Sequence, residues 1–555
     1  MKSAAFHLLI FVTCLAGFAI GPLQAQNTQG FFLNDFKPQK AIIPSYLDCK
    51  QPDPSSTVSV IVNFADTLSK VSPYIYGNNA NTYMTNMVDQ PELIKAIRTL
   101  SPHIIRYPGG NLSNVFFWDA KPGNKPADVP DTILYGDNRK PKRENFFYGM
   151  NGNPSTLSVD NYYKMLQMTN STGIICVNYG YGRYGTSPHP VQQAAHYAAN
   201  WVRYDKGRTK YWEIGNENYG PWQAGYVIDT AKSKDHQPRY ISGELYGSHL
   251  KIFADSMRAA AREIHSDIHI GAVILETPKQ TRRGEIEKGW NDGVLDMAKQ
   301  AIDFYIIHCY YTPYEQNSSA AIVLASAKKE TERMVSYLNS LNSEKAVAPK
   351  PVALTEWNIF AQGSMQCCSF INGMHSAIVL GELAKSKYGM ASRWNLANGY
   401  SNGNDHGIFS KGDEPGVPRW NPRPAWYYMY YFQRCFGDHV VSNTTNNDTL
   451  LVYSSTFSSG EAGIVIVNTG TKAQNVSLQL HNFKAGKRFY FYTLTGGNDN
   501  GEFSQQVFVN GIGPQYRAGG PKDIEGIKAF SSTIKKGIRI DSPPRSVQFI
   551  IVDKK

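Results

Sequence analysis

Cysteine is scarce in this sequence, with seven residues in a chain of 555. No CxxC pair is followed by a second one at the spacing of a zinc site. Gly109 and Gly110 are not followed by the GK[ST] of a phosphate-binding loop. We therefore expect neither a metal ion nor another cofactor. A chain of this size does not depend on disulfides for its core, and the pairing of Cys367 and Cys368 is left open.

Clusters of positive charge are also missing. The formal net charge is +11, but lysine and arginine are spread along the chain without a basic run. We therefore expect no nucleic-acid partner. A diffuse positive field could favour an anionic glycan, sulfated or uronic, or it could serve solubility alone. Nothing in the sequence indicates an oligomeric state.

Long apolar runs are absent beyond the N-terminus, so we expect no membrane anchor. The apolar run over 7–20 follows Lys2 and precedes a small-residue site at Ala25. This pattern is typical of a secretory signal peptide covering 1–25. The run is shorter than the ~20 residues that a spanning helix needs. We therefore expect the mature protein to be secreted or periplasmic.

Apolar strands alternate with amphipathic helical patterns through most of the chain. Strands are predicted at 74–77, 103–107, 173–178, 211–215, 268–273, 304–308, 352–355 and 390–394. Helices are predicted near 90–100, 158–170, 190–204, 244–265, 289–300, 320–341, 371–387 and 424–436. Eight such alternations predict an α/β fold, a (β/α)₈ TIM barrel. An open, doubly wound sheet uses the same alternation and is the alternative.

The composition changes at both ends of the predicted barrel. After the signal peptide, 26–55 reads as an irregular N-terminal arm. A strand within 56–70 cannot be stable alone, so we expect it to join a sheet made at the C-terminus. The barrel is assigned to 71–436. Short β-branched segments bounded by turns then predict a β-sandwich domain over 437–555.

Two predicted barrel strands end in a carboxylate. The segments 211–218 (YWEIGNEN) and 351–358 (PVALTEWN) each begin apolar and finish with Glu217 or Glu356. Strands four and seven lie across the barrel mouth, so these side chains could face each other. Two such carboxylates are what glycoside hydrolysis requires. We assign Glu217 as the general acid/base and Glu356 as the nucleophile, while Glu213 lies one layer deeper on the same face.

Other polar and aromatic residues stand at neighbouring strand ends. Asn216 precedes the acid/base and could hold the 2-hydroxyl of the sugar. Arg106 and Tyr310 could keep Glu356 ionised by donating hydrogen bonds to it. A purely structural ion pair is the alternative for Arg106. Trp394 could be a sugar platform or ordinary packing at the top of the barrel.

The motifs together resemble a known group of enzymes. The segments 106–111 (RYPGGN), 177–180 (VNYG), 211–218, 307–310 (IHCY) and 354–358 (LTEWN) are similar to those of clan A glycoside hydrolases. Within this clan, they are most similar to family 51, the α-L-arabinofuranosidases. The resemblance implies a retaining (β/α)₈ enzyme with a C-terminal β domain. It also implies the acid/base and nucleophile roles given above.

The resemblance further implies a sugar-binding shell. That shell would contain Arg106, Asn178, Asn216, His308 and Tyr310, although a satisfied core histidine is the alternative for His308. Family 51 places a glutamate shortly after the first strand, whereas the run 77–81 (GNNAN) contains no acid. The hydrolytic residues that the resemblance implies are therefore all present, but the identity of the sugar is left open.

These observations predict a secreted retaining glycoside hydrolase acting on a plant- or algal-type polysaccharide, arabinofuranosidase-like. One alternative is an endo-acting hydrolase of a sulfated galactan such as agar or carrageenan. The positive charge and the long aromatic loop after the second strand favour it. The alternative from another class is a barrel that binds glycans without cleaving them.

Overall fold

The computed structural model describes residues 28–55, 58–136, 140–277, 288–362, 366–400 and 405–555. The predicted signal peptide at 1–25 lies outside these residues. Within the described part of the chain, every helix is too short or too polar to span a bilayer.

Eight parallel strands form a closed barrel, so the predicted fold is confirmed and the open sheet is excluded. The first strand pairs with both the second and the eighth, which closes the ring. The strands are almost entirely buried because the barrel interior covers one face and helices cover the other. Their bounds are β1 Gly77–Asn79, β2 Ile104–Tyr107, β3 Thr172–Val177, β4 Tyr211–Ile214, β5 His269–Val273, β6 Phe304–Tyr310, β7 Val352–Asn358 and β8 Met390–Arg393.

The first strand differs from its prediction. The segment Pro73–Tyr76 forms a 3₁₀ turn, and β1 begins only at Gly77. Proline lacks an N–H and has a fixed φ, which suits the first position of a helical turn. The Ser72 side chain caps this turn by accepting the N–H of Tyr74 at 3.3 Å. The local capping chemistry therefore overrides the apolar pattern.

A helix follows each strand and covers the outside of the barrel. Four of these helices begin at a serine whose side chain accepts a backbone N–H of the first turn: Ser158, Ser242, Ser319 and Ser369. The bounds are α1 Pro91–Leu100, α2 Val159–Thr169, α3 Pro190–Asp205, α4 Gly243–Glu263, α5 Trp290–Ala298, α6 Ala320–Glu344, α7 Phe370–Lys385 and α8 Pro424–Cys435.

An all-β domain is built from both ends of the chain. Val58–Lys70 pairs with His439–Thr445 on one side and with Gln474–His481 on the other. One apolar core contains side chains from both arms of the eleven-stranded sheet, so the sheet folds over itself as a sandwich. The remaining strands are Tyr46–Asp48, Leu450–Thr456, Ala462–Asn468, Ala485–Gly496, Val507–Val509, Ala529–Thr533, Ile538–Ser542 and Ser546–Lys554.

The long aromatic loop after β2, which covers about 108–156, is attached to the outside of the barrel at Trp118. Its Trp118 stacks on Trp201 of α3, with ring centroids 5.8 Å apart and planes inclined by 14°. The Trp118 indole also donates to the carbonyl of Tyr197 at 3.1 Å. Trp118 therefore anchors the loop to α3 and is not available to a substrate.

The β domain meets the end of α8 at a close backbone contact. The Ser455 hydroxyl accepts the N–H of Gly437 at 2.7 Å and donates to the carbonyl of Gly463 at 3.0 Å. A Cβ placed on Gly463 would come within 2.4 Å of the Cys435 carbonyl oxygen. Only glycine therefore allows the strand to approach the helix this closely.

We expect Gly463→Ala to destabilise the protein by about 1–3 kcal/mol, because the backbone of one domain must shift. Chemical denaturation monitored by fluorescence would measure the change. The matched control is Gly152→Ala, since a Cβ on Gly152 meets no heavy atom within 4 Å. Equal stability of the two variants would contradict the close contact.

Candidate active site

The loop after β4 places Glu217 in an unusual backbone conformation. Gly215 has a φ of 79° and Glu217 a φ of 43°, and the left-handed region is rare for glutamate. The Glu217 carbonyl accepts the N–H of Gly220 at 2.7 Å, which closes the turn. Such conformations cost about 1–3 kcal/mol and concentrate at functional sites.

Glu217 and Glu356 face each other across the barrel mouth. One oxygen of each carboxylate and one nitrogen of His308 all lie within 4.8 Å of one another. The Glu356 side chain is 6% exposed, whereas the Glu217 side chain is 16% exposed. The two carboxylates predicted from separate strand ends therefore share one gap.

Arg106 lies fully buried beneath this gap and connects four strand ends. Its Nε donates to Glu213 at 2.7 Å, and Nη1 donates to Glu356 Oε1 at 2.8 Å. Nη1 and Nη2 also donate to Asn79 at 3.1 Å and to Asn216 at 2.9 Å. Burial opposes the charge, but the two carboxylates outweigh it and raise the pKa of Arg106. The guanidinium is therefore permanently charged.

Tyr310 donates its hydroxyl to the second oxygen of Glu356 at 2.9 Å. Burial first, and then the charges of Glu356 and Glu217, raise the pKa of Tyr310 well above its usual value. The hydroxyl therefore keeps its proton, so both oxygens of Glu356 accept from a donor, as the sequence predicts.

His308 bridges the two carboxylates. Its Nδ1 lies 3.0 Å from Glu217 and 3.8 Å from Glu356, and its Nε2 lies 3.1 Å from the Thr355 hydroxyl. Burial of the ring favours the neutral form, but the charge of Glu356 and the contact with Glu217 outweigh it. The pKa of His308 is raised as a result. This histidine is part of the site and not a core histidine satisfied elsewhere.

The second oxygen of Glu217 has partners that sequence reasoning missed. The Trp222 indole donates to it at 2.7 Å, and the Gln223 amide lies 3.4 Å away. Gln223 is itself fixed by Asn111 at 2.7 Å and by Asn114 at 2.8 Å. In the sequence, Trp222 is an aromatic residue five positions after the carboxylate, and this spacing does not by itself indicate a contact.

The structure places the other two predicted residues, Trp394 and Asn178, differently. A Cβ on Gly110 would lie 2.6 Å from a ring carbon of half-buried Trp394, so this ring packs directly on the glycine turn after β2. Asn178 does not join the carboxylates. Its amide donates to the Phe116 carbonyl and the Tyr184 hydroxyl, each at 3.1 Å, and its oxygen accepts the N–H of Tyr181 at 3.0 Å. It caps the turn after β3.

The buried Asn216 amide supplies a further polar group. Its oxygen accepts from Arg106, but its Nδ2 has no hydrogen-bond partner among the described residues. A buried donor without a partner costs about 1–3 kcal/mol, so this group is suited to a substrate hydroxyl.

The cluster of Glu217, His308 and Glu356 offers one ligand atom each to a metal ion. The guanidinium of Arg106 lies 2.8 Å from Glu356 Oε1, however, and it would repel a cation there. The arrangement therefore fits acid–base chemistry better than metal binding.

A closed parallel barrel with facing carboxylates at the ends of β4 and β7 is the arrangement of clan A glycoside hydrolases. Comparison with curated proteins returns α-L-arabinofuranosidases. A probable α-L-arabinofuranosidase C of Aspergillus flavus is 24% identical over 364 residues, covering 58% of this chain and 65% of the relative. An intracellular exo-α-(1→5)-L-arabinofuranosidase of Acetivibrio thermocellus is 22% identical, covering 48% of each. The match thus spans less than two thirds of these relatives.

Solved structures share the fold over nearly the whole chain. The arabinofuranosidase of Thermotoga maritima, in an arabinose complex, has a TM-score of 0.62 at 18% identity, covering 89% of this chain and 100% of that one. A family 44 xyloglucanase of Paenibacillus polymyxa has a TM-score of 0.55 at 12% identity, covering 90% and 100%. No profile of a protein family matches the chain. The predicted resemblance to clan A and family 51 is confirmed by the curated relatives and the solved structures.

We expect Glu213→Ala to destabilise the protein by about 3–5 kcal/mol, because it leaves the buried Arg106 with one carboxylate fewer. The free energy of unfolding measures this. Glu263→Ala is the control, because it breaks another arginine–glutamate pair whose side chains are 34% and 55% exposed. We expect no measurable change in the control. A similarly small effect of Glu213→Ala would show that Arg106 does not depend on this pair.

Proposed function

We propose that this protein is a retaining glycoside hydrolase that releases α-L-arabinofuranosyl residues from a plant-type polysaccharide. The observation that carries the mechanism is the approach of Glu217 and Glu356 oxygens to within 4.8 Å. Retaining enzymes hold their carboxyl groups ~5–5.5 Å apart, whereas inverting enzymes need room for a water molecule. The names of the curated relatives support the sugar.

In the first step, Glu356 attacks the anomeric carbon while Glu217 gives its proton to the departing oxygen. The glycosidic bond breaks, the rest of the chain leaves as an alcohol, and a covalent glycosyl-enzyme ester forms. In the second step, Glu217 takes a proton from water, whose oxygen attacks the anomeric carbon. The ester bond breaks, the free sugar leaves, and both carboxyl groups return to their initial states.

The neighbours of each carboxylate suit these roles. Glu356 accepts from the charged Arg106 and from Tyr310, so its anion is stabilised and both of its oxygens are oriented. Glu217 accepts from the neutral indole of Trp222 and contacts His308. The free donor of Asn216 would bind the sugar 2-hydroxyl.

We also propose that the protein is exported, on the strength of the N-terminal pattern alone.

We expect wild-type protein to hydrolyse p-nitrophenyl α-L-arabinofuranoside and to release first the anomer that matches the substrate, as followed by proton NMR. Release of the opposite anomer would contradict the retaining mechanism proposed from the short separation of the carboxylates. Incubation with arabinan, arabinoxylan, agar and carrageenan, followed by sizing of the products, tests the polysaccharide. Shortened galactan chains without free arabinose would overturn the arabinofuranosidase proposal.

We expect Glu356→Ala to lower kcat by at least about 10⁴-fold, because the nucleophile is lost. Azide should restore turnover of the aryl substrate and give a glycosyl azide of inverted configuration. Glu217→Ala with azide should instead give the retained configuration, because azide then attacks the covalent intermediate. Mass spectrometry and NMR of the azides measure both outcomes. The same configuration from both variants would contradict the assigned roles.

A further inference from the structure

An aromatic surface leads from Glu356 towards solvent along the loops after β6 and β7. The ring of Tyr310, whose hydroxyl donates to Glu356, stacks on Phe360 with centroids 4.1 Å apart and planes inclined by 14°. The ring of Tyr314 meets Phe360 edge-on, and the two ring centroids are 5.0 Å apart. Tyr310, Phe360 and Tyr314 are called the aromatic ridge below.

Exposure increases along the aromatic ridge. Tyr310 and Phe360 are half-buried, whereas Tyr314 is 55% exposed. A single exposed ring is ordinary on a protein surface. This ring, however, continues an aromatic surface whose inner end contacts a carboxylate of the candidate site. The ridge is therefore continuous with the candidate site.

The two loops that carry the ridge are fastened to each other. The Thr312 hydroxyl donates to the Phe360 carbonyl at 2.8 Å and accepts the Phe360 N–H at 2.9 Å. The Gln366 side chain likewise pairs with both the N–H and the carbonyl of Ser318, at 3.2 and 2.8 Å. A surface held in place in this way loses little conformational entropy when a ligand binds.

A buried histidine packs behind the aromatic ridge. The buried His406 ring packs against Phe360 and Tyr310, with centroids 5.8 and 5.5 Å away. Burial, reinforced by the nearby charge of Arg393, lowers the pKa of His406 to about 3. The ring is therefore uncharged at neutral pH and adds an aromatic backing to the ridge.

We propose that the aromatic ridge is a binding subsite for the sugar residue that is joined, through the bond to be cleaved, to the sugar held at Glu356. Tyrosine offers a large, rigid surface with an apolar face and a polar edge, which matches the C–H face and the hydroxyl rim of a sugar ring. The inference rests on the proposed function, and it adds that the cleft recognises at least two consecutive sugars.

The test measures binding to Glu356→Gln, in which hydrolysis is blocked. Isothermal titration with α-(1→5)-linked arabinotriose and with arabinose gives both affinities. Adding Tyr314→Ala should weaken trisaccharide binding about tenfold, the loss of one aromatic contact, and should leave arabinose binding within about twofold. Tyr314→Phe should keep the trisaccharide affinity within about twofold, because the ring remains.

Tyr46→Ala, in the same Glu356→Gln protein, is the matched control, because Tyr46 is 40% exposed and lies on the β domain. Equal trisaccharide affinities of the Tyr314→Ala and Tyr46→Ala proteins would overturn the subsite, as would absence of trisaccharide binding. The proposed function fails separately, if wild-type protein leaves p-nitrophenyl α-L-arabinofuranoside intact. Weaker trisaccharide binding by Tyr314→Ala would support the subsite even then.

Discussion

The mouth of the barrel is organised by a single buried charge, the guanidinium of Arg106. Removing such a charge from water is unfavourable unless its donors are paired. Glu213 and Glu356 supply the opposite charge, while Asn79 and Asn216 accept from the remaining donors. These partners come from β1, β4, β7 and the turn after β4. Satisfying Arg106 therefore fixes the position of Glu356 and the relative heights of the strand ends.

The same network makes the two candidate carboxylates unequal. Glu356 is buried and accepts from a permanent cation and from a tyrosine that keeps its proton. Glu217 is more exposed, contacts an indole N–H, and shares its other oxygen with His308. Environments that differ in this way are how one site obtains both an ionised group and a proton donor. The proposed assignment of roles rests on this difference in position.

The pairing of Glu217 with Glu356 could be predicted from the sequence because the carboxyl ends of all barrel strands meet on one rim. The contact of Trp222 with Glu217 could not, since it depends on a left-handed turn at Glu217 that no apolar pattern encodes. Asn178 illustrates a second ambiguity. An asparagine at a strand end can bind a ligand or cap the next turn, and only the structure shows that it caps.

Asn79 belongs to the hydrogen-bonded framework that holds the candidate carboxylates. It lies in the run where family 51 has a glutamate, and its amide donates to the carbonyls of Thr355 and Ser392 at 2.9 and 3.0 Å. Its oxygen accepts from Arg106, so the side chain serves the framework of the site. The subsite proposed at Tyr314 lies on a loop above the strand ends, outside this framework. The chain shares its fold with an arabinofuranosidase and a xyloglucanase, and one fold can carry different sites on its loops.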